Sequence, residues 1–189
     1  EGPVSGEWTM ENSPYNIEGP VSVEQEDSLI IHEGVRVAIR GPFPITVKGY
    51  IKAEGNEDSE ILFSASNPNI NWDGLDYEGA NILSSEPSVY NQCIFQYGRA
   101  QSGEEYNSGG AIAVRDYNDL EFYNCTFRHN MADLPAVSFA TNAGAIGLWN
   151  ASPIIQKCIF YDNYALHYAG AILAYLGSSP VISDRKSVV

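Results

Sequence analysis

Acidic residues beside an arginine and a histidine are the first positions in this sequence that could carry out chemistry. The segment RDYND places Arg115 next to Asp116, with Asp119 three residues further on. Paired carboxylates are what glycosidases need on either side of a glycosidic bond. His129 and Asp162 form a second candidate pair, because a carboxylate stacked beside a histidine can orient the ring as a general base. A surface ion pair of small energetic value explains the same two residues.

Three residues, two of them aromatic, occupy equivalent positions after three copies of a short glycine-containing motif. Counted from that motif, Arg115, Trp149 and Tyr175 fall into one column, which faces outward because the apolar residues before them alternate inward. A row of exposed rings can stack on sugar rings, or it can cover a neighbouring loop. The column is therefore a candidate ligand-binding surface, together with Tyr106 and Tyr168 from nearby insertions.

Carboxylates in these insertions could bind calcium, a cation that prefers oxygen ligands. The candidate metal ligands are Glu104, Glu105 and Asp133, and the insertions that carry them are expected to leave the same corner of the fold. A solvated loop face explains these residues equally well, so both interpretations stay open. The patterns require no cofactor, and calcium is the ion that they make possible.

Internal repeats determine which of these residues can meet. The tetrapeptides GGAI, AGAI and AGAI contain Gly110, Gly144 and Gly170, and a second motif, with a cysteine two residues before a phenylalanine, alternates with them. The segments from glycine to the next cysteine are nearly constant in length, whereas those from cysteine to the next glycine vary. A constant scaffold with variable loops on one side is typical of a solenoid.

Short runs of alternating apolar residues lie within each repeat, without a sustained helical period. They predict an all-β chain folded as a single-stranded right-handed parallel β-helix, with loops inserted on one rim. Stacked coils would align Cys93, Cys125 and Cys158 in one inward ladder and the phenylalanine two residues after each cysteine in another. Because the cysteines lack Cys-x-x-Cys spacing, packing explains them better than metal binding.

The asparagines and glycines of the motifs are predicted to serve the backbone. Asn130 and Asn163 follow a ladder phenylalanine by three residues, and Gly98 holds the same place in the first copy. All three are expected to adopt the left-handed conformation of a sharp corner, which asparagine tolerates and glycine adopts freely. The glycines of the GAI motifs are expected to form tight corners as well.

A single domain is expected over the whole chain, with differences between its parts. The predicted parts in chain order are a cap at 1–16, looser coils at 17–75, repeat-bearing coils at 76–183 and an atypical tail at 184–189. In the tail, Arg185 and Ser187 replace the cysteine and the phenylalanine of the ladders. The apolar ladder therefore stops there, either at a native cap or at a segment that is not native.

Composition excludes several classes of partner. Twenty-four acidic residues against ten basic ones give a formal net charge of −14, whereas nucleic acids and anionic membranes require a basic surface. No apolar run approaches the roughly 20 residues that cross a bilayer as a helix. The charge suits a secreted protein, a calcium binder or a protein that must stay soluble.

Two tetrapeptide motifs carry a resemblance to a known group of proteins. FRHN and FYDN, paired with GGAI and AGAI, resemble the repeats of chlamydial polymorphic outer-membrane proteins and of bacterial right-handed parallel β-helix proteins of the pectin-lyase-like class. The resemblance covers roughly residues 12–183. It implies a bacterial extracellular or cell-surface location, and it leaves the function open among adhesins, surface proteins and polysaccharide-active enzymes.

These observations lead to one leading hypothesis and two others. The leading one is a secreted or cell-surface module without catalytic activity, part of a longer chain, that acts in adhesion or binds polysaccharides or cell-surface glycans. The second is a polysaccharide lyase or glycoside hydrolase, for which a dense cluster of acids with arginine or lysine on one sheet face is expected. The third is a structural spacer, in which Trp149 and Tyr175 would be covered.

Overall fold

Three parallel sheets run along the molecule, and the backbone visits them in a fixed cyclic order. The computed structural model describes residues 1–79, 86–100, 109–133, 143–184 and 186–188. Within these residues, successive strands enter sheets A, B and C in turn, and each strand pairs in parallel with the equivalent strand of the adjacent coils. The chain is an all-β parallel solenoid, which confirms the fold class predicted from the repeats.

The strands of each sheet follow in coil order. Sheet A contains β1 (Gly2–Pro3), β4 (Val21–Val23), β7 (Ile45–Val47), β10 (Leu75–Glu78), β13 (Ile112–Arg115), β17 (Ile146–Trp149) and β21 (Ile172–Tyr175). Sheet B contains β2 (Gly6–Trp8), β5 (Ser28–His32), β8 (Tyr50–Glu54), β11 (Ser88–Asn91), β14 (Leu120–Tyr123), β18 (Ile154–Gln156) and β22 (Val181–Ser183). Sheet C contains β3 (Tyr15–Ile17), β6 (Arg36–Ile39), β9 (Ile61–Ala65), β12 (Cys93–Gln96), β15 (Thr126–Arg128), β19 (Ile159–Tyr161) and β23 (Lys186–Val188). A short sheet joins β16 (Met131–Ala132) to β20 (Tyr164–Ala165), and a 3₁₀ turn spans Met10–Asn12.

A ladder of phenylalanines fills the core beneath sheet C. The rings of Phe95, Phe127 and Phe160 stack with centroids 4.9 Å apart and interplanar angles of 11° and 5°. Phe63 continues the stack one coil earlier, again at 4.9 Å. Burial of each ring contributes about 1.5–3 kcal/mol, so the ladder is a large part of the core. The predicted ladder is confirmed, and it extends into the coils that were expected to be looser.

The three cysteines form the second predicted ladder. Cys93, Cys125 and Cys158 are free and buried, and each thiol contacts a backbone carbonyl oxygen at 3.3–3.6 Å. Burial raises the pKa of the Cys125 thiol. The pKa of the Cys158 thiol is raised by its hydrogen bond with Cys125 and by burial. The Cys125 and Cys158 thiols therefore stay protonated, and all three buried cysteines pack as small apolar groups.

Buried tyrosines between sheets A and B make a hydrogen-bonded network. The hydroxyl groups of Tyr77 and Tyr90 lie 2.6 Å apart, and Tyr117 contacts the Ser88 hydroxyl at 2.9 Å and donates to the carbonyl oxygen of Gly49 at 3.2 Å. Burial raises the pKa of all three phenols, that of Tyr117 to about 12. Ionisation of any of the three would place a negative charge in the core, so the folded state favours the protonated hydroxyls.

Alkaline pH should therefore unfold the chain cooperatively. Above the usual tyrosine pKa of about 10, the unfolded state loses protons that the folded state keeps, so the free energy of unfolding falls as pH rises. For Tyr117 the fall spans roughly pH 10 to 12. With Tyr77 and Tyr90 added, the slope is about 4 kcal/mol per pH unit. Phenolate absorbance and circular dichroism, followed together, should change in one transition for these three tyrosines. Their ionisation with the dichroism still native would contradict the network.

The asparagines of the F-x-x-N motif correct one prediction. Positive φ angles lie one residue earlier, at Tyr97 (59°), His129 (54°) and Asp162 (52°). Asn130 is instead fully buried and accepts a hydrogen bond from the Gly98 amide at 2.9 Å.

The Asn130 amide also donates to the coils on either side. Its nitrogen contacts the carbonyl oxygen of Phe95 at 3.0 Å and Oδ1 of Asn163 at 2.9 Å. Asn163 repeats the pattern by donating to the carbonyl oxygen of Phe127 at 2.9 Å. The asparagines therefore form a side-chain amide ladder, which pairs backbone groups that a buried corner leaves without ladder partners.

The glycines of the GAI motifs correct a second prediction. Gly110, Gly144 and Gly170 do not adopt positive φ angles. A Cβ atom at Gly110 would overlap the carbonyl oxygen of Gly144, and one at Gly144 would overlap that of Gly170. Gly98 is likewise packed directly against the backbone of Gly110. Close approach of consecutive coils, rather than a left-handed conformation, requires glycine at positions 98, 110 and 144.

The two ends of the chain differ from the middle in simple ways. Residues 1–16, predicted as a cap, already carry β1, β2 and the start of β3, and so provide most of the first coil. At the other end, β23 pairs with β19 and places Ser187 opposite Phe160. This register confirms that the phenylalanine ladder ends there. Arg185 lies outside the described residues.

Candidate functional site

The outward column predicted on sheet A is present and one coil longer than expected. Register aligns Arg115 with Trp149 and Trp149 with Tyr175, and it adds Glu78 opposite Arg115. Val114, the residue before Arg115, is buried in the core. Because side chains alternate along a strand, Arg115 and its register partners face outward.

Arg115 is held by two carboxylates on the preceding coil. Its Nη2 contacts an oxygen of Glu78 at 2.7 Å and one of Asp76 at 3.3 Å. The side chains of Arg115 and Asp76 are 18% and 14% exposed. Asp76 pairs in register with the small Ala113, which leaves room for the guanidinium above it. The Nε atom of Arg115 is buried and has no hydrogen-bond partner among the described residues.

A groove of about 470 Å³ lies beside this ion-pair cluster. Glu78, Gly79, Arg115, Asp116 and Trp149 line it. Gly79 follows Glu78 as Asp116 follows Arg115, and a Cβ atom at Gly79 would come within 2.8 Å of the Asp116 Cβ. The missing side chain at Gly79 therefore keeps the groove open next to Asp116.

The end of sheet A fixes the position of the Asp116 carboxylate. Asp116 and Asn150 occupy successive places in the corner and have φ angles of 52° and 47°, a conformation that these two residue types tolerate. The Asn150 amide donates to Oδ1 of Asp116 at 2.6 Å. Asp116 and Trp149 therefore line the same groove.

Trp149 and Tyr175 form the aromatic wall of the site. Their ring centroids are 4.9 Å apart with an interplanar angle of 48°. Tyr175 is 44% exposed and Trp149 is half-buried. The other two tryptophans, Trp8 and Trp72, are buried in the core. The arrangement offers an apolar aromatic surface next to hydrogen-bond acceptors, a combination that suits small polar ligands with apolar faces.

The RDYND acids do not share a site. Asp116 lines the groove described above, whereas Asp119 lines a separate one of about 320 Å³ together with Glu86 and Glu121. The carboxylates beside Arg115 are instead Asp76 and Glu78, which sequence reasoning missed. A signal was available, because alignment of WDGL with GGAI already places Glu78 opposite Arg115, and the pairing of Leu75 with Ile112 confirms that alignment.

His129 and Asp162 lie one coil apart, as predicted. Nδ1 of His129 is 3.7 Å from Oδ2 of Asp162, and both side chains are well exposed. The His129 ring stacks on Tyr97 at 5.5 Å and meets the edge of Tyr161. A solvent-exposed ion pair of this kind contributes little to stability. Neither His129 nor Asp162 lines either of the two grooves described above.

The candidate metal ligands and tyrosines of the insertions lie only partly within the described residues. Glu104, Glu105 and Tyr106 lie outside them. Asp133 makes a two-pronged ion pair with Arg99 at 2.7 and 2.8 Å, which occupies both of its oxygens. Tyr168 is 63% exposed. Across the described part of the chain, no cluster of three or more histidines, cysteines or carboxylates could hold a metal ion.

A scan against protein-family models and searches of curated proteins and solved structures found no match to this chain. None of the helices in the described segments has the length and apolar character to cross a bilayer. Any functional conclusion therefore depends on the groove and the aromatic pair themselves.

Proposed function

We propose that this chain is a non-catalytic module that binds glycans on the outward face of sheet A. The observation that carries the proposal is the pair of Trp149 and Tyr175 beside a groove with charged walls. A pyranose ring has an apolar C–H face and a rim of hydroxyl groups, so it needs an aromatic surface and polar partners together. Trp149 supplies the surface, while Glu78 and Asp116 accept hydrogen bonds from hydroxyl groups.

The setting proposed for this module is the bacterial cell surface or the extracellular space. A net charge of −14 favours solubility and disfavours nucleic-acid partners. The FxxN and GGAI motifs resemble those of chlamydial polymorphic outer-membrane proteins and of the pectin-lyase-like class, and a parallel solenoid is the architecture that this resemblance implies. An adhesive role as one part of a longer chain follows from the same resemblance.

Replacing Trp149 by alanine should weaken glycan binding by about tenfold or more, because the stacking surface is lost. Binding of the wild-type chain to a panel of neutral, basic and acidic polysaccharides is first detected by tryptophan fluorescence. Since Trp8 and Trp72 are buried, the response reports mainly on Trp149. Isothermal titration calorimetry then compares the variants, with and without calcium.

Two further variants make the result specific. Trp149→Phe keeps an aromatic ring and should retain most of the affinity. Tyr164→Ala removes a different exposed aromatic residue, on β20, and should leave binding unchanged. Equal affinity of wild type and Trp149→Ala for every ligand that binds would contradict the proposal. The absence of any binding would favour a spacer or a protein-binding adhesin.

A polysaccharide lyase or glycoside hydrolase is the second candidate, favoured by one observation. Asp76, Glu78 and Arg115 cluster on one sheet face, with Asp116 in the same groove. The ultraviolet absorbance of unsaturated products and the release of reducing ends test it on the same samples. Product formation that Glu78→Gln abolishes would replace the binding proposal with the enzymatic one.

A further inference from the structure

The groove on sheet A carries an excess of negative charge. Among its lining residues in the described part of the chain, Arg115 is the single base, and Glu78 and Asp116 are acids. Asp76, at the base of the cluster, adds a third carboxylate. Three acids against one base leave a local charge of −2, and the chain as a whole is strongly acidic.

Arg115 is poorly placed to offset this charge for an anionic ligand. Its guanidinium is 18% exposed and already engaged by Glu78 and Asp76. An incoming uronate or sulfate would have to displace one of these carboxylates while approaching the others. By contrast, Glu78 is 45% exposed and Asp116 lies at the surface, so both carboxylates can meet a cation from solvent.

From this arrangement we infer that the groove selects sugars that bear a protonated amine, such as glucosamine units, over N-acetylated or acidic sugars. The inference rests on the proposed glycan-binding function and specifies its ligand class. A pyranose stacked on Trp149 would direct ring substituents into the groove that Glu78 and Asp116 also line. An ammonium group there would pair with Asp116 or Glu78 and would be attracted by the face of the Trp149–Tyr175 pair.

The test compares three oligosaccharides of matched length by isothermal titration calorimetry at mildly acidic pH, where the amine is protonated. They are β-1,4-linked glucosamine, its N-acetylated form and galacturonate. We expect the glucosamine ligand to bind about tenfold more tightly than the N-acetylated one, because two partly exposed ion pairs each contribute a few-fold. Galacturonate should bind most weakly, and added salt should narrow the difference.

Variants that neutralise the groove carboxylates test whether those carboxylates cause the preference for the amine-bearing sugar. The double variant Glu78→Gln/Asp116→Asn should reduce the preference to about twofold or less, because the glucosamine ligand loses both ion pairs whereas the N-acetylated ligand loses only hydrogen bonds that the amides partly replace. The matched control Glu57→Gln/Asp58→Asn removes the same two charges from an exposed turn between β8 and β9 and should retain the wild-type preference. A preference that survives in the groove variant, or that both variants lose equally, would overturn the inference.

The same data distinguish a failure of the amine preference from a failure of glycan binding. Binding of the N-acetylated or acidic ligand that depends on Trp149, without a preference for the amine, would refute the inference and leave glycan binding intact. No binding of any of the three ligands, together with none from the wider polysaccharide panel, would refute the glycan-binding function and this inference with it.

Discussion

Alanine at position 110 is expected to destabilise the chain by about 3 kcal/mol or more, and to prevent folding if the coils cannot separate. A Cβ atom there would overlap the carbonyl oxygen of Gly144 and would lie 2.6 and 2.8 Å from the backbone oxygen and nitrogen of Met131. All three are backbone atoms, and Met131 belongs to β16, so no side-chain rotation relieves the contact. Replacement of glycine by alanine at an unstrained site normally stabilises by about 0.4–1 kcal/mol through the unfolded state. A loss of stability in Gly110→Ala would therefore report the close spacing of the coils, because the effect on the unfolded state has the opposite sign.

Gly170 provides the matched control, because it occupies the same motif position in the last coil. A Cβ atom there meets only the carbonyl oxygen of Asn163, at 3.2 Å, so Gly170→Ala should change stability by less than about 1 kcal/mol. Urea denaturation followed by circular dichroism measures both variants, and soluble yield compares them if Gly110→Ala does not fold. Equal stability of the two variants would show that the coils at Gly110 are farther apart than the structure places them.

The fold was predictable because the sequence repeats its core positions at a regular spacing. Cys93, Cys125 and Cys158, each followed two residues later by phenylalanine, fix which residues stack, since a parallel ladder in register brings identical positions together. The outward column followed from the same register, because alternation along a strand decides which side each residue faces. Trp149 and Tyr175 were therefore placed correctly without coordinates.

The roles of the asparagines and glycines were not predictable in the same way. Both residue types favour left-handed backbone, and both also have a second use: asparagine as an amide that pairs backbone groups, and glycine as a residue without a side chain. The sequence does not distinguish these uses. The left-handed positions themselves are held by Tyr97, His129 and Asp162, of which tyrosine gives no signal for that conformation.

The ion-pair cluster was missed for a different reason. Glu78 and Asp76 lie in a coil whose sequence, WDGLDYE, differs from the GGAI copies, so similarity to the motif does not single them out. The structure brings them to Arg115 because β10 pairs with β13 in register although the two coils differ in sequence. Asp119 was grouped with Asp116 because the two are close in sequence, but the corner after sheet A directs them into different grooves.

Replacing Asn130 by alanine is expected to cost about 3 kcal/mol or more, the second large effect. The change leaves the Gly98 amide and the Phe95 carbonyl without the hydrogen bonds that the Asn130 side chain makes, whereas Oδ1 of Asn163 still accepts from the Asn130 backbone amide. Buried polar groups left unpaired cost about 1–3 kcal/mol each, and Asn130 is fully buried, so water has no access to replace them. Urea denaturation measures the loss, and amide hydrogen exchange at Gly98 should speed up relative to the β12 amides.

The variant Asn163→Ala tests whether burial or hydrogen bonding alone sets the cost of losing an asparagine from the ladder. It makes the equivalent bond to Phe127 but is half-buried in a coil nearer the end of the described chain. Because Asn163 itself is half-buried, water can enter the space that its side chain vacates, so Asn163→Ala should cost about 1 kcal/mol, less than Asn130→Ala. A similar cost for both variants would mean that the amide ladder contributes equally along its length and that burial does not set its strength. Unchanged exchange at Gly98 in Asn130→Ala would mean that the backbone at this corner is paired by some other group, and the ladder would then be a consequence of the coil geometry rather than one of its causes.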